Sequence, residues 1–289
     1  MTQPAQAKTT KKGRMYAWPP TPPHEFEVYS VTTLLGEADD KPWMAPWRVK
    51  MVVEYAVEKV EEWVHMARGD VGSKERAKRL LKGEQWGTSS SISKHKAGIG
   101  TVAHAAADRY AAGDPMDWQE VGNALTKENV PGEFHSTAFG YVKAAYKFLD
   151  EVRPEIIHRE ATVYSREHEY AGTLDMQARL RIGDSKLLAV VDYKSSASIY
   201  DDVALQLVAY SRADFVGRDD GSELPLERAD YGVIVQLLDN GEYVLHTFAL
   251  NDELFEVFLA AKAVAEAKLD PTWDEKHRKS ILKRSRRPS

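Results

Sequence analysis

The spacing of apolar residues changes character near residue 155. Before it, apolar positions recur every three or four residues; after it, they alternate or gather in short β-branched runs. The first region predicts helices. WMAPWRVKMVVEYAVEKVEEWVHM, residues 43–66, predicts one long amphipathic helix after Pro46, with Gly69 and Gly72 punctuating its end. A second helix is predicted over 74–82, a third in the Ala-rich AGIGTVAHAAADRYAAG that closes on Gly113, and a fourth over 134–150, stopped before Pro154. Residues 156–164, 172–182 and 187–194 carry strand patterning, with Gly183 and Asp184 as the turn between the last two. A helix over 200–215, strands over 229–237 and 241–248 joined at Asp239, Asn240 and Gly241, and a helix from the capping residue Asn251 to about Lys268 follow. Helices first, then a sheet interleaved with helices, predict an α/β domain with a mixed central β-sheet flanked by helices. Residues 1–25, poor in apolar positions and rich in Lys, Thr and Pro, read as a flexible arm, with the fold beginning near Tyr29. Residues 26–270 read as a single domain, its helical part over 40–150 and its sheet core over 155–250, and 271–289 as a basic tail.

Composition narrows the chemistry. With 289 residues, 43% of them hydrophobic, the chain can bury a large core. No apolar run approaches a membrane span, and the polar N-terminus lacks a secretory pattern, so a soluble, cytoplasmic protein is expected. The absence of cysteine excludes disulfides, thiolate metal sites and iron-sulfur clusters. Any metal must sit on oxygen or imidazole ligands. The net charge of -5 does not advertise nucleic-acid binding, but basic residues are concentrated. Lys74, Arg76, Lys78, Arg79 and Lys82 form one cluster, and Lys276, His277, Arg278, Lys279, Lys283, Arg284, Arg286 and Arg287 another; both could meet phosphates.

The strand over 187–194 starts apolar and ends in Asp192, Tyr193 and Lys194, which suits a strand leaving the core for a cleft. A two-residue turn at Gly183 and Asp184 pairs Ile182 with Ser185, and counting back sets Asp175 opposite Asp192 on the same face. Two carboxylates held close repel unless a cation lies between them. Oxygen ligands suit Mg²⁺ or Mn²⁺, and Lys194 would stand beside the ion. In the third helix, His104 shares a flank with Gly100, Ala107 and Ala111, away from the stripe of Ile99, Ala103, Ala106 and Tyr110; small neighbours would let that flank approach a sheet edge. Gln206 and Tyr210, four apart, share one helix face.

Gly172-Thr173-Leu174-Asp175, Asp192-Tyr193-Lys194 and Gln206-Leu207-Val208-Ala209-Tyr210 form an ordered set that resembles the PD-(D/E)XK nucleases, in particular their RecB-like exonuclease branch. Gly100-Thr101-Val102-Ala103-His104 resembles the branch's helical histidine motif, and Tyr29-Ser30-Val31-Thr32-Thr33-Leu34-Leu35 the opening segment of bacteriophage members. The resemblance spans about residues 29–215 and implies a restriction-endonuclease-like core with an N-terminal helical elaboration. Leu174 replaces the motif's proline, a departure that costs no ligand, and the iron-sulfur cysteines of some relatives are absent.

The resemblance further implies a site. Asp175, Asp192, His104 and the main-chain carbonyl of Tyr193 would hold one or two Mg²⁺ or Mn²⁺ ions, with Glu160 an additional acid of open role. Lys194 would be the catalytic lysine, and Gln206 and Tyr210 would contact the DNA backbone or support the lysine. The implied activity is metal-dependent hydrolysis of DNA, as an exonuclease in phage recombination, repair or degradation. An endonuclease of the same fold and a non-catalytic DNA-binding recombination accessory stay open as alternatives. Implied partners are DNA and a recombinase or single-strand annealing protein, with homo-oligomerisation also open and no membrane.

Overall fold

The computed structural model describes residues 7–38, 89–182, 185–196, 199 and 202–272. The helices predicted over 46–66 and 74–82, the Gly183-Asp184 turn and both basic clusters lie outside the described residues. Along the chain come β1 (Ala7–Thr10), β2 (Gly13–Trp18), β3 (Phe26–Tyr29), α1 (Val31–Ala38), α2 (Ser89–Ala111), α3 (Trp118–Lys127) and α4 (His135–Val152). Then follow β4 (Glu155–Ser165), β5 (Tyr170–Ile182), β6 (Ser185–Lys194), α5 (Asp202–Ser211), β7 (Phe215–Gly217), β8 (Glu223–Pro225), β9 (Tyr231–Leu237), β10 (Tyr243–Ala249) and α6 (Asp252–Leu269).

The main sheet has the order β10-β9-β6-β5-β4-β7-β8, and β6 with β9 is its parallel pair among antiparallel ones. The protein is thus α/β, a large mixed sheet flanked by helices. Local chemistry sets the helix ends: Asp117 and Glu120 form a reciprocal capping box on α3, Asn251 caps α6 through Leu254 N–H, and α4 closes on left-handed Arg153 just before Pro154. One face of the sheet packs Met176, Ala178, Leu180, Val191 and Tyr193 against α2, α3 and α4. The other packs Leu174, Val190 and Ile234 against α1, α5 and α6.

The reading of residues 1–25 as a flexible arm is corrected. From residue 7 the chain forms the three-stranded sheet β1-β2-β3. Its inward residues Tyr16 and Trp18 are almost fully buried against Tyr164 and Phe215, where burial of large aromatic surface offsets the low apolar density of the segment. Arg166 clamps the layer by ion pairs to Glu25 and Glu223 while lying 4.3 Å over the Phe215 ring. The helix predicted over 200–215 ends at Ser211, because residues 215–217 join β4 as β7. Among the described residues no helix is long and apolar enough to cross a membrane.

Candidate active site

β6 starts exposed at Ser185 and Lys186, is buried and apolar through its middle, and ends polar. Ala189, Val190 and Val191 are core residues, Asp192 is buried, and the Lys194 side chain is 27% exposed. The hairpin register runs from Ile182–Ser185 to Met176–Val191, so one further step sets Asp175 opposite Asp192, as the turn count predicts. Regular alternation does not carry through that point. On β5, Tyr170 and Leu174 pack on the α1, α5 and α6 side, whereas Met176, Ala178 and Leu180 pack on the α2 and α4 side. The strand changes face at Asp175. Across from it in β4, between the pairs Arg159–Met176 and Ala161–Leu174, stands Glu160 with φ 43°. A left-handed non-glycine residue inside a strand costs about 1–3 kcal/mol and persists only where its surroundings enforce it.

Around this break, side chains from both faces of the sheet meet. Asp175 lies against His104 of α2, Nδ1 to Oδ2 3.1 Å, and accepts a hydrogen bond from Tyr193 N–H at 2.9 Å. The His104 ring stands edge-on to the Tyr193 ring, which packs in turn on Phe148. Asp192 faces α5, accepts a hydrogen bond from Gln206 Nε2 at 3.0 Å, and pairs with Lys194 Nζ at 2.7 Å from its other oxygen. Gly100 brings α2 to the end of β6, close to Ser195 Oγ. His104, Glu160 and Asp175 each offer a ligand atom, and these atoms lie within 4.8 Å of one another. His104 Nδ1 is buried without a well-formed hydrogen bond, 3.1 Å from Asp175 Oδ2.

The electrostatics follow from burial and neighbours. Burial disfavours charge on Asp175, but His104, Lys194 and the Tyr193 N–H together hold its carboxyl below the usual range. Asp192 goes the other way, pushed up by burial and by the charge on Asp175 in spite of Lys194. Glu160 is pushed up to about 7, first by burial and then by Asp175. Burial pulls His104 and Lys194 down, and the adjacent aspartates more than offset it, so both rise. Three acids, Asp175, Asp192 and Glu160, thus share the site with His104 and Lys194, and burial first, then Asp175, raises the proton affinity of Glu160. A divalent cation would take the place of a proton there.

Of the residues singled out in the sequence, Asp175, His104 and Glu160 converge, and Asp192 with Lys194 stands directly beside them. Gln206 serves Asp192. Tyr210 is buried on the same helix with its ring over Gly172, where an added Cβ would come within 2.3 Å of Cε1. Sequence reasoning gave Glu160 no definite role and left His246 and Gln236 aside. The left-handed backbone that aims Glu160 has no signature in an alternating strand. The chain matches no protein-family model and no curated protein.

Proposed function

We infer that the protein is a divalent-metal-dependent deoxyribonuclease of the PD-(D/E)XK type, with the mixed sheet as its restriction-endonuclease-like core. The observation that carries this reading is the meeting of His104, Glu160 and Asp175, donors from three separate elements, at a strained and buried break in the sheet beside Asp192 and Lys194. The motif resemblance supports the same assignment from the sequence side.

The donor set suits the ion. Two carboxylates and an imidazole, one ring nitrogen of which is buried without a hydrogen bond, fit a hard to borderline divalent cation, and the nitrogen favours Mn²⁺ over Mg²⁺. Asp192 and the Tyr193 carbonyl would complete the shell for one or two ions. When bound, the metal supplies Lewis-acid polarisation of a phosphoryl oxygen and a water of lowered pKa. The chain does the rest. Lys194, held as an ammonium against Asp192, can donate to the attacking water or to charge growing on the phosphoryl oxygens, but it has no lone pair with which to accept a proton. Gln206 fixes Asp192, so that this carboxylate keeps one oxygen for Lys194. Action on strand ends, as an exonuclease, rests on the resemblance.

The test is digestion of an end-labelled linear duplex beside a closed circular plasmid with Mg²⁺, Mn²⁺ or EDTA, for wild type and Asp192→Asn. Metal-dependent loss of the linear DNA alone, absent in the variant, is the expected result. Cutting of the circle would make the enzyme an endonuclease. DNA binding with no cleavage under any metal would overturn the catalytic reading.

A further inference from the structure

The last residues of β6 are held differently from the rest of the strand. β5 pairs with β6 only as far as Met176–Val191, while β9 follows it in parallel to Lys194–Gln236. On the side that β5 has left, side chains take over the backbone's hydrogen bonds: Asp175 receives the Tyr193 N–H. Beyond Lys194 one clamp is Gln236, whose Nε2 donates to the Ser196 carbonyl at 2.9 Å. Gln236 is only 9% exposed, sits in register with Lys194, and points to the same side as Asp192, since Ile234 of its own strand packs there with Val190.

The amide orientation of Gln236 follows from that bond. With Nε2 given to a carbonyl, which can only accept, Oε1 is left for the neighbour 2.9 Å away, His246 Nε2. That nitrogen must therefore carry a hydrogen, and it donates whether the ring is neutral or charged. His246 pairs directly with Ile234 and is the diagonal neighbour of Gln236, two residues from Val244, which stands opposite Gln236. The chain of contacts runs from the edge strand β10, through β9, to the backbone immediately after Lys194.

We propose that Gln236, oriented by His246, is a positioning residue that fixes the Lys194–Ser196 backbone and so sets the direction from which the lysine ammonium enters the site. The catalytic part of this proposal rests on the nuclease reading; the structural part does not. Gln236→Glu, studied at a pH where the new carboxyl is ionised, separates them, because the carboxylate keeps the shape and still accepts from His246 but has no hydrogen to donate to the Ser196 carbonyl. Hydrogen exchange of a peptide covering residues 193–196, measured in the full chain, should rise at least about tenfold in Gln236→Glu and in Gln236→Leu, while exchange in β4 and β5 stays as in wild type. In the same preparations the cleavage rate should fall about tenfold or more with unchanged affinity for linear DNA. His246→Gln, which can still present an N–H, should recover most of the exchange protection lost in His246→Ala. Unchanged exchange at 193–196 in Gln236→Glu would overturn the proposal whatever the activity. A wild type that never cleaves DNA, with exchange raised in the variant, would sink the nuclease reading and leave the positioning role standing.

Discussion

Glu160 combines a left-handed backbone with a carboxyl pushed up to about 7, by burial first and then by the neighbouring Asp175. Raised above its ordinary 4.5, this group binds a proton more tightly in the folded protein than in the unfolded chain. Its contribution is therefore most favourable below pH 4.5 and is lost as pH rises through about 7. In EDTA, wild type should lose more melting temperature than Glu160→Gln between pH 5 and pH 8; parallel curves would show that Glu160 is not held as described. Lys194→Ala should slow cleavage by about 10²–10³-fold, the loss typical of a removed donor to transition-state charge, while leaving DNA affinity near wild type in a filter-binding or anisotropy assay. At this scale the sequence was informative wherever a side chain acts by its own identity. Asp175, Asp192, Lys194 and His104 were all legible as candidates. Gln236 and His246 were not, because their significance lies in which backbone carbonyl a neighbouring strand brings within reach.

Between elements, what decides the site is how closely they approach. The α5 helix places Gln206 on Asp192, and one turn on its Tyr210 ring closes directly on Gly172 of β5. A methyl group at 172 would meet Tyr210 Cε1 at 2.3 Å, within a fully buried layer that cannot give way. Gly172→Ala should destabilise the protein by about 1–3 kcal/mol, as overpacked cores do, and should reduce cleavage beyond that loss by displacing Gln206. Denaturant melts and rates measured on the same sample would check it, and a variant with wild-type stability and activity would refute this packing. The register of the β5–β6 hairpin was readable from the turn, since loop length fixes which residues pair. The change of face at Asp175 was not, since it depends on one residue of β4 adopting a conformation that its own sequence disfavours.

Over the whole molecule, the large mixed sheet follows from the order of helical and alternating segments, whereas the N-terminal sheet was missed. GRMYAW has period-two aromatic residues, but the run is short and set among Lys and Pro, the composition of a chain without a core. Its stability comes from a distant surface, Tyr164 and Phe215, together with a hydrogen bond between the hydroxyls of Tyr16 and Thr173, the latter two residues before Asp175. Trp18→Ala should accordingly cost about 3–5 kcal/mol in a denaturant melt, where a flexible arm would show no change. In the proposed function, His104, Glu160 and Asp175 would hold a divalent ion that supports phosphodiester hydrolysis. The most direct test is to titrate Mn²⁺ into wild type and Glu160→Gln and follow bound Mn²⁺ by electron paramagnetic resonance and cleavage of a labelled linear duplex in the same samples. The two signals should rise together in wild type, and both should shift to higher Mn²⁺ in the variant by about 10–100-fold. Cleavage that proceeds in EDTA, or Mn²⁺ binding that is indifferent to Glu160, would contradict the account.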